Sequence, residues 1–198
     1  YNIIGVMSGT SLDGLDICWV KFTKKNKWSY QILACETLQY SKKMITKLKS
    51  AINCNPKDLE LLDKYFTNYI GDCINDFKKK YRVINLELVC SHGHTVFHEP
   101  NKGVTYQIGN LHQLANKIQC KLVCDFRVQD VALGGQGAPL VPVGDELLFS
   151  QFDFCLNLGG FSNISFKSKG QRIAFDICPV NIIMNYYSKK IGFDYDKG

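Results

Sequence analysis

Hydrophobic and polar positions along the chain follow two periods. Near the start, Ile3, Ile4 and Val6, then Ile17, Cys18, Trp19, Val20 and Phe22, form two apolar, β-prone runs. They bracket a short segment bearing glycines and an Asp-Gly pair, which predicts a β-hairpin. Residues 30–40, with Ile32, Leu33, Ala34, Leu38 and Tyr40, read as a further strand. The period then lengthens. Behind Ser41, an N-cap residue, Met44, Ile45, Leu48, Ala51 and Ile52 recur at helical spacing. Asn55-Pro56 opens a second helix, with Asn as cap and Pro in the first turn. Its apolar stripe is Leu59, Leu62, Phe66, Tyr69, Ile70, Cys73, Ile74 and Phe77, and Lys78 to Lys80 complement its C-terminus.

Shorter elements follow. Leu86 to Ser91 reads as a buried strand running into a polar loop, Ser91-His92-Gly93-His94-Thr95. Val104 to Ile108 is a strand, Leu111 to Ile118 a short helix and Lys121 to Phe126 a strand again. Gly134-Gly135-Gln136-Gly137-Ala138-Pro139 is a Gly-rich loop with neither the Walker A nor the dinucleotide spacing. Phe152 to Leu158, Gly159-Gly160 and Phe161 to Phe166 then repeat the layout of the opening hairpin. The strand Arg172 to Ile177 carries Asp176 to its end, and a helix follows from Pro179 to Lys190 with Val180, Ile183, Met184 and Tyr187 on one face. Strands alternating with helices predict an α/β fold with a partly parallel sheet. The boundary is expected near 144–150, giving a first domain over 1–148 and the beginning of a second over 149–198, short for a domain.

Composition narrows the class. At 198 residues, 45% hydrophobic and 21% charged, the chain reads as globular, and no apolar run approaches a membrane span. The net charge of +6 suits an anionic ligand, but the lysine runs read as solvated helix ends and turns, so nucleic acid is not expected. The nine cysteines are scattered through apolar runs without a CxxC pair, which fits a reduced, cytoplasmic protein.

Four places carry candidate chemistry. In the first turn, Gly9 and Gly14 allow close backbone approach, while Thr10 and Ser11 offer donors to phosphate oxygens. Asp13 and Asp16 could hold Mg²⁺, directly or through water; a plain hairpin with a polar tip fits the same residues equally well. In the second, an extended backbone would set His92 and His94 on one face as metal ligands, with His98 or Asp125 completing a site; hydrogen bonding to a polar ligand or the backbone is the commoner use. Arg127 is a cation for a carboxylate or phosphoryl group, or else a tie for the Gly-rich loop. Asp176 could take a proton from a water nucleophile, or cap the helix that follows.

Met7-Ser8-Gly9-Thr10-Ser11-Leu12-Asp13-Gly14-Leu15-Asp16 resembles the opening motif of the anhydro-N-acetylmuramic acid kinases, relatives of sugar kinases, Hsp70 and actin. Blocks in the same order continue the resemblance: Ser91 to Val96, Thr105 to Asn110, Val123 to Arg127, Gly134 to Pro142 and Phe175 to Asn181. Two departures stand out. His94 occupies a position where Gln is usual, and Cys178 and Val180 replace glycines. The resemblance implies an actin-like (ribonuclease H-like) ATPase domain with a mixed sheet and the start of a second similar domain. It implies a kinase using ATP and Mg²⁺ to hydrolyse the 1,6-anhydro bond of anhydro-N-acetylmuramic acid and phosphorylate O6, for peptidoglycan recycling. Asp176 would be the catalytic base. Gly9, Thr10, Ser11, Leu12, Asp13, Gly14, Leu15 and Asp16, with Gly159, Gly160 and Asn163, would grip ATP. His94, Gln107, Arg127, Gln136, Pro139 and Asn181 would contact the sugar. A homodimer is compatible with it. The family extends well past Gly198, so the resemblance implies an N-terminal portion, weak or inactive alone. A non-catalytic sugar or nucleotide sensor of the same fold is the alternative, and a metal-dependent hydrolase built on His92, His94 and His98 is a third.

Overall fold

The opening apolar runs form the hairpin that their pattern predicts. In the computed structural model, which describes residues 1–193, β1 (Asn2–Ser8) pairs antiparallel with β2 (Gly14–Lys24), and β2 with β3 (Trp28–Gln39). Asp194 to Gly198 lie outside the described residues. β1 pairs on its other edge, in parallel, with β4 (Leu88–Glu99). The far edge of β4 is shared: its first residues pair in parallel with β6 (Lys121–Val123), and its last ones antiparallel with β5 (Val104–Ile108). This mixed six-stranded sheet with flanking helices is the expected actin-like α/β architecture.

The capping residues start helices as their chemistry predicts. Ser41 accepts the Met44 N–H ahead of α1 (Lys42–Ser50), and Asn55 accepts the Asp58 N–H ahead of α2 (Pro56–Lys80). Leu62, Phe66, Ile70, Ile74 and Phe77 of α2 are buried together with Ile4, Leu15, Ile17, Val89 and Ile108 of the sheet. Leu114 and Ile118 of α3 (Gln113–Ile118) close the same core.

Two expectations are corrected. The segment from Ser91 to Thr95 is not a loop; it is the middle of a twelve-residue strand, because β1 on one side and β5 and β6 on the other satisfy its backbone. The strand predicted over 121–126 ends at Val123, and α4 (Phe126–Ala132) follows, preceded by Asp125 at φ +59°. The seven-residue α4 and α5 (Pro142–Leu148) carry too few residues for a period to show.

The chain divides into two compact units, Tyr1–Gly137 and Ala138–Gly198, so α5 belongs with the second unit. There β7 (Phe154–Leu158), β8 (Phe161–Ser168) and β9 (Gln171–Pro179) form an antiparallel sheet in chain order, followed by α6 (Asn181–Lys190). This repeats the β1-β2-β3-α1 sequence of elements in the first unit. α5 lies on the polar face of the sheet: Asp145 accepts from Ser165, and Glu146 pairs with Lys167 and Arg172. The other face carries Phe154, Leu156, Leu158 and Phe175, each about half exposed or more.

Candidate active site

The turn between β1 and β2 is built to leave donors free. Leu12 N–H donates to the Gly9 carbonyl, with Leu12 at φ +59°. Asp13 Oδ1 accepts from Ser11 Oγ at 2.6 Å and from the Gly14 N–H at 3.1 Å, and its carbonyl receives the Tyr40 N–H. No hydrogen bond among the described residues uses the amides of Thr10, Ser11 or Asp13. Three unpaired amides in one tight turn are donors available to an anion. Gly14 is required on steric grounds, since a Cβ would lie 2.6 Å from the Leu38 carbonyl oxygen. Leu15, by contrast, is wholly buried in the core, so its side chain is unavailable to a nucleotide.

Asp13 and Asp16 are both exposed. Asp16 Oδ1 accepts from Thr37 Oγ1 at 2.5 Å, and on both carboxylates Oδ2 has no hydrogen bond among the described residues. Each can therefore offer one oxygen to a hydrated Mg²⁺, which binds through one or two carboxylates while keeping its waters.

Beneath this turn lies a buried polar chain that the sequence reading missed. Tyr40 Oη donates to Ser8 Oγ at 2.8 Å, and Ser8 Oγ lies 3.0 Å from His94 Nδ1. All three side chains are buried. Burial first, and His92 second, push the His94 pKa down to about 4, and a hydrogen bond with the Ser8 backbone opposes them. The imidazole is neutral at physiological pH.

His92 belongs to a different cluster. β4 bulges against β1 between the Ser91 and His94 pairings, with Gly93 at φ +70°. The extra residue breaks the two-residue alternation, so His92 and His94 do not share a face. Gly93 is itself tightly set, because a Cβ would meet the Ile108 carbonyl oxygen at 2.5 Å and Asn110 Nδ2 at 2.8 Å. His92 Nε2 accepts from Arg127 Nε at 2.8 Å and Nδ1 donates to the Gly93 carbonyl at 3.0 Å. His98 Nδ1 contacts Thr105 Oγ1. The expected metal trio is corrected on this geometry: the histidines turn to three separate partners, both His92 nitrogens are used, and no group of three or more His, Cys, Asp or Glu side chains among the described residues could hold a metal ion.

Arg127 ties down the Gly-rich loop. Its Nη1 donates to the Gly137 carbonyl at 2.6 Å, while Asp130 Oδ2 accepts the Gly137 N–H at 2.7 Å. Both sides of one peptide position are thus held from α4, with Gln136 exposed just before it. Burial lowers the pKa of Arg127. Gln107 is buried nearby in connectivity: its Nε2 donates to Thr105 Oγ1, which also meets His98. Asn110 donates to the His92 carbonyl and, at 3.4 Å, to Asp125. Gln107 Oε1 and Asn110 Oδ1 are buried without a hydrogen-bond partner among the described residues. Asp63 on α2, also missed in the sequence, anchors this wall: its carboxylate accepts from the Gly109 N–H at 2.7 Å, Tyr106 Oη at 2.8 Å and Thr67 Oγ1. A charged residue four positions before Thr67, beside the apolar stripe, was the only signal for it.

In the second unit, the Gly159-Gly160 turn is held through its carbonyls, which accept the Asn181 and Val180 N–H groups. Asn163 pairs across the sheet with Asn157 on one side and Asp176 on the other, a polar row running through all three strands. Asp176 is exposed and lies within β9, three residues before its last, rather than at the strand's end. It does not cap α6: Val180 occupies that position without a side-chain bond. Asn181 begins α6, and Pro139 lies at the start of this unit.

A family model described as anhydro-N-acetylmuramic acid kinase matches residues 1–198. The chain belongs to this family. Similar proteins named anhydro-N-acetylmuramic acid kinase occur in Pseudoalteromonas translucida (36% identical, covering 95% of this chain and 52% of the relative), Haemophilus influenzae (35%, 98% and 53%) and Pseudomonas putida (36%, 98% and 55%). The chain spans about half the length of these curated relatives.

Proposed function

We propose that this protein acts in the ATP-dependent conversion of anhydro-N-acetylmuramic acid to N-acetylmuramic acid 6-phosphate, in peptidoglycan recycling. The observation that carries the reading is the β1–β2 turn with three open amides, in a chain that matches the kinase family from end to end. The amides of Thr10, Ser11 and Asp13 bind phosphate oxygens of ATP, and Asp13 and Asp16 hold Mg²⁺, which supplies positive charge beside them. Gly159, Gly160 and Asn163 serve the nucleotide.

Asp176 takes a proton from a water molecule as the water oxygen bonds to C1 of the sugar. The C1–O6 bond breaks with its electron pair on O6, and O6 then attacks the γ-phosphorus, releasing ADP. Asn163 is the cross-strand neighbour of Asp176. Arg127, already committed to the Gly-rich loop, positions Gln136 for the sugar, and the unpartnered Gln107 Oε1 suits a sugar hydroxyl donor. Pro139 and Asn181 serve the sugar. Neither Cys178 nor Val180 has positive φ, so neither position calls for the left-handed conformation that favours glycine.

Incubating the intact enzyme with ATP and the anhydro sugar tests the assignment. Sugar 6-phosphate and ADP are expected in equal amounts, with turnover at least about 100-fold lower in Asp176→Asn. Absence of a phosphorylated sugar, or full activity in Asp176→Asn, overturns it.

A further inference from the structure

We infer that Tyr40 and Ser8 are positioning residues that fix His94 as a neutral imidazole with its proton on Nε2, a hydrogen-bond donor for an oxygen of the bound substrate. The inference rests on the functional reading only for the identity of that substrate.

Proton accounting gives the direction of the chain. Tyr40 Oη has one hydrogen bond among the described residues, to Ser8 Oγ. If Ser8 donated to Tyr40 instead, the phenol proton would be left without an acceptor in a buried setting, which costs about 1–3 kcal/mol. Tyr40 therefore donates to Ser8, which leaves the Ser8 proton available to His94 Nδ1, 3.0 Å away and the other hydrogen-bond contact of Ser8 Oγ among the described residues. A neutral imidazole that accepts at Nδ1 carries its hydrogen on Nε2. Burial keeps the ring neutral, and the edge of Phe66 against it limits its rotation.

His92, two residues away, provides an internal contrast. It accepts from Arg127 at Nε2 and donates from Nδ1 to the Gly93 carbonyl, which is the opposite tautomer. The bulge at Gly93 separates the two rings so that each is set by its own partners. Ser8 is also the last residue of β1, so the fixed donor sits at the root of the turn bearing the three open amides.

Long-range ¹H–¹⁵N correlation spectra of the intact protein at neutral pH read both rings without any substrate. His94 is expected as the Nε2–H tautomer and His92 as the Nδ1–H tautomer. Ser8→Ala should convert His94 to a mixture of tautomers, and Tyr40→Phe should shift its Nδ1 resonance while leaving His92 unchanged. Should Ser8→Ala fail to fold, the wild-type and Tyr40→Phe spectra still decide. A His94 proton on Nδ1 in the wild type, shared with the Ser8 hydroxyl or carbonyl, overturns the inference. So does a His94 spectrum indifferent to both substitutions. Adding anhydro-N-acetylmuramic acid or Mg-ATP separately then identifies the acceptor. A shift of the His94 Nε2–H signal with either supports the donor role, and no shift with both overturns it. His94→Gln, which keeps an amide donor, should hold the KM of the responding substrate within about threefold, and His94→Leu should raise it about tenfold. Failure of the assigned reaction leaves the tautomer result standing, so the two readings fail separately.

Discussion

The two units bury their apolar residues very differently. In the first, Ile4, Leu15, Phe66, Ile70, Ile74 and Ile108 are fully enclosed between sheet and helices. In the second, no hydrophobic side chain among the described residues reaches that state, and Phe154, Leu156 and Leu158 on one sheet face are 63%, 57% and 59% exposed. Both contain the same antiparallel three-strand meander. What differs is coverage: α2 and α3 close the core of the first unit, while α5 meets its sheet on the polar face. A shared strand pattern thus yields a tight core only where a long amphipathic helix lies over it, since most of the stabilisation comes from apolar area removed from water.

Core truncation is the strongest way to break the comparison. Phe66→Ala should cost about 3–5 kcal/mol in chemical denaturation, against under about 1 kcal/mol for Phe175→Ala, because only the first leaves a cavity. Equal costs would mean that the second unit has a hidden core. Gly93→Ala should cost about 1–3 kcal/mol, since it forces a side chain into a left-handed bulge already touching the Ile108 carbonyl. Gly170→Ala, also at positive φ but in open space, should cost less, and the difference isolates the steric part.

Acid should weaken the first unit through His94. Its folded pKa is about 4 against an ordinary value of 6.5, so the unfolded chain takes up the proton first. Stability is then fully present above about pH 6.5 and is lost as pH falls towards 4. His94→Gln should flatten that slope in urea titrations at successive pH values, and an unchanged slope would show that His94 does not carry it. The smallest effect concerns helix starts. Asn55→Ala should cost about 1 kcal/mol, whereas Val180→Ala at the uncapped start of α6 should change stability by under about 0.5 kcal/mol.

The sequence disclosed the elements whose signals were local and long. β5 and the capped α2 follow directly from alternation and from Asn55-Pro56. The start of β4 was read as a strand, but its continuation was concealed because His92, Gly93 and His94 look like a loop, and only pairing on both edges makes a strand of them. The turn from Gly9 to Gly14 announced itself through its glycines and hydroxyls. Its supports, Ser8 and Tyr40, did not, because 32 positions of chain separate two residues whose meaning lies in one hydrogen bond. Asp130 and Asp63 escaped for the same reason: each holds a backbone amide that no sequence pattern places beside it.

In the proposed reaction, water opens the anhydro ring at C1 and the freed O6 takes the phosphoryl group. Turnover of the intact enzyme in H₂¹⁸O tests it most directly, with the product read by mass spectrometry. One labelled oxygen on C1 and none on the phosphate is the predicted result. An unlabelled C1, or label on the phosphate, would contradict it and remove the role given to Asp176.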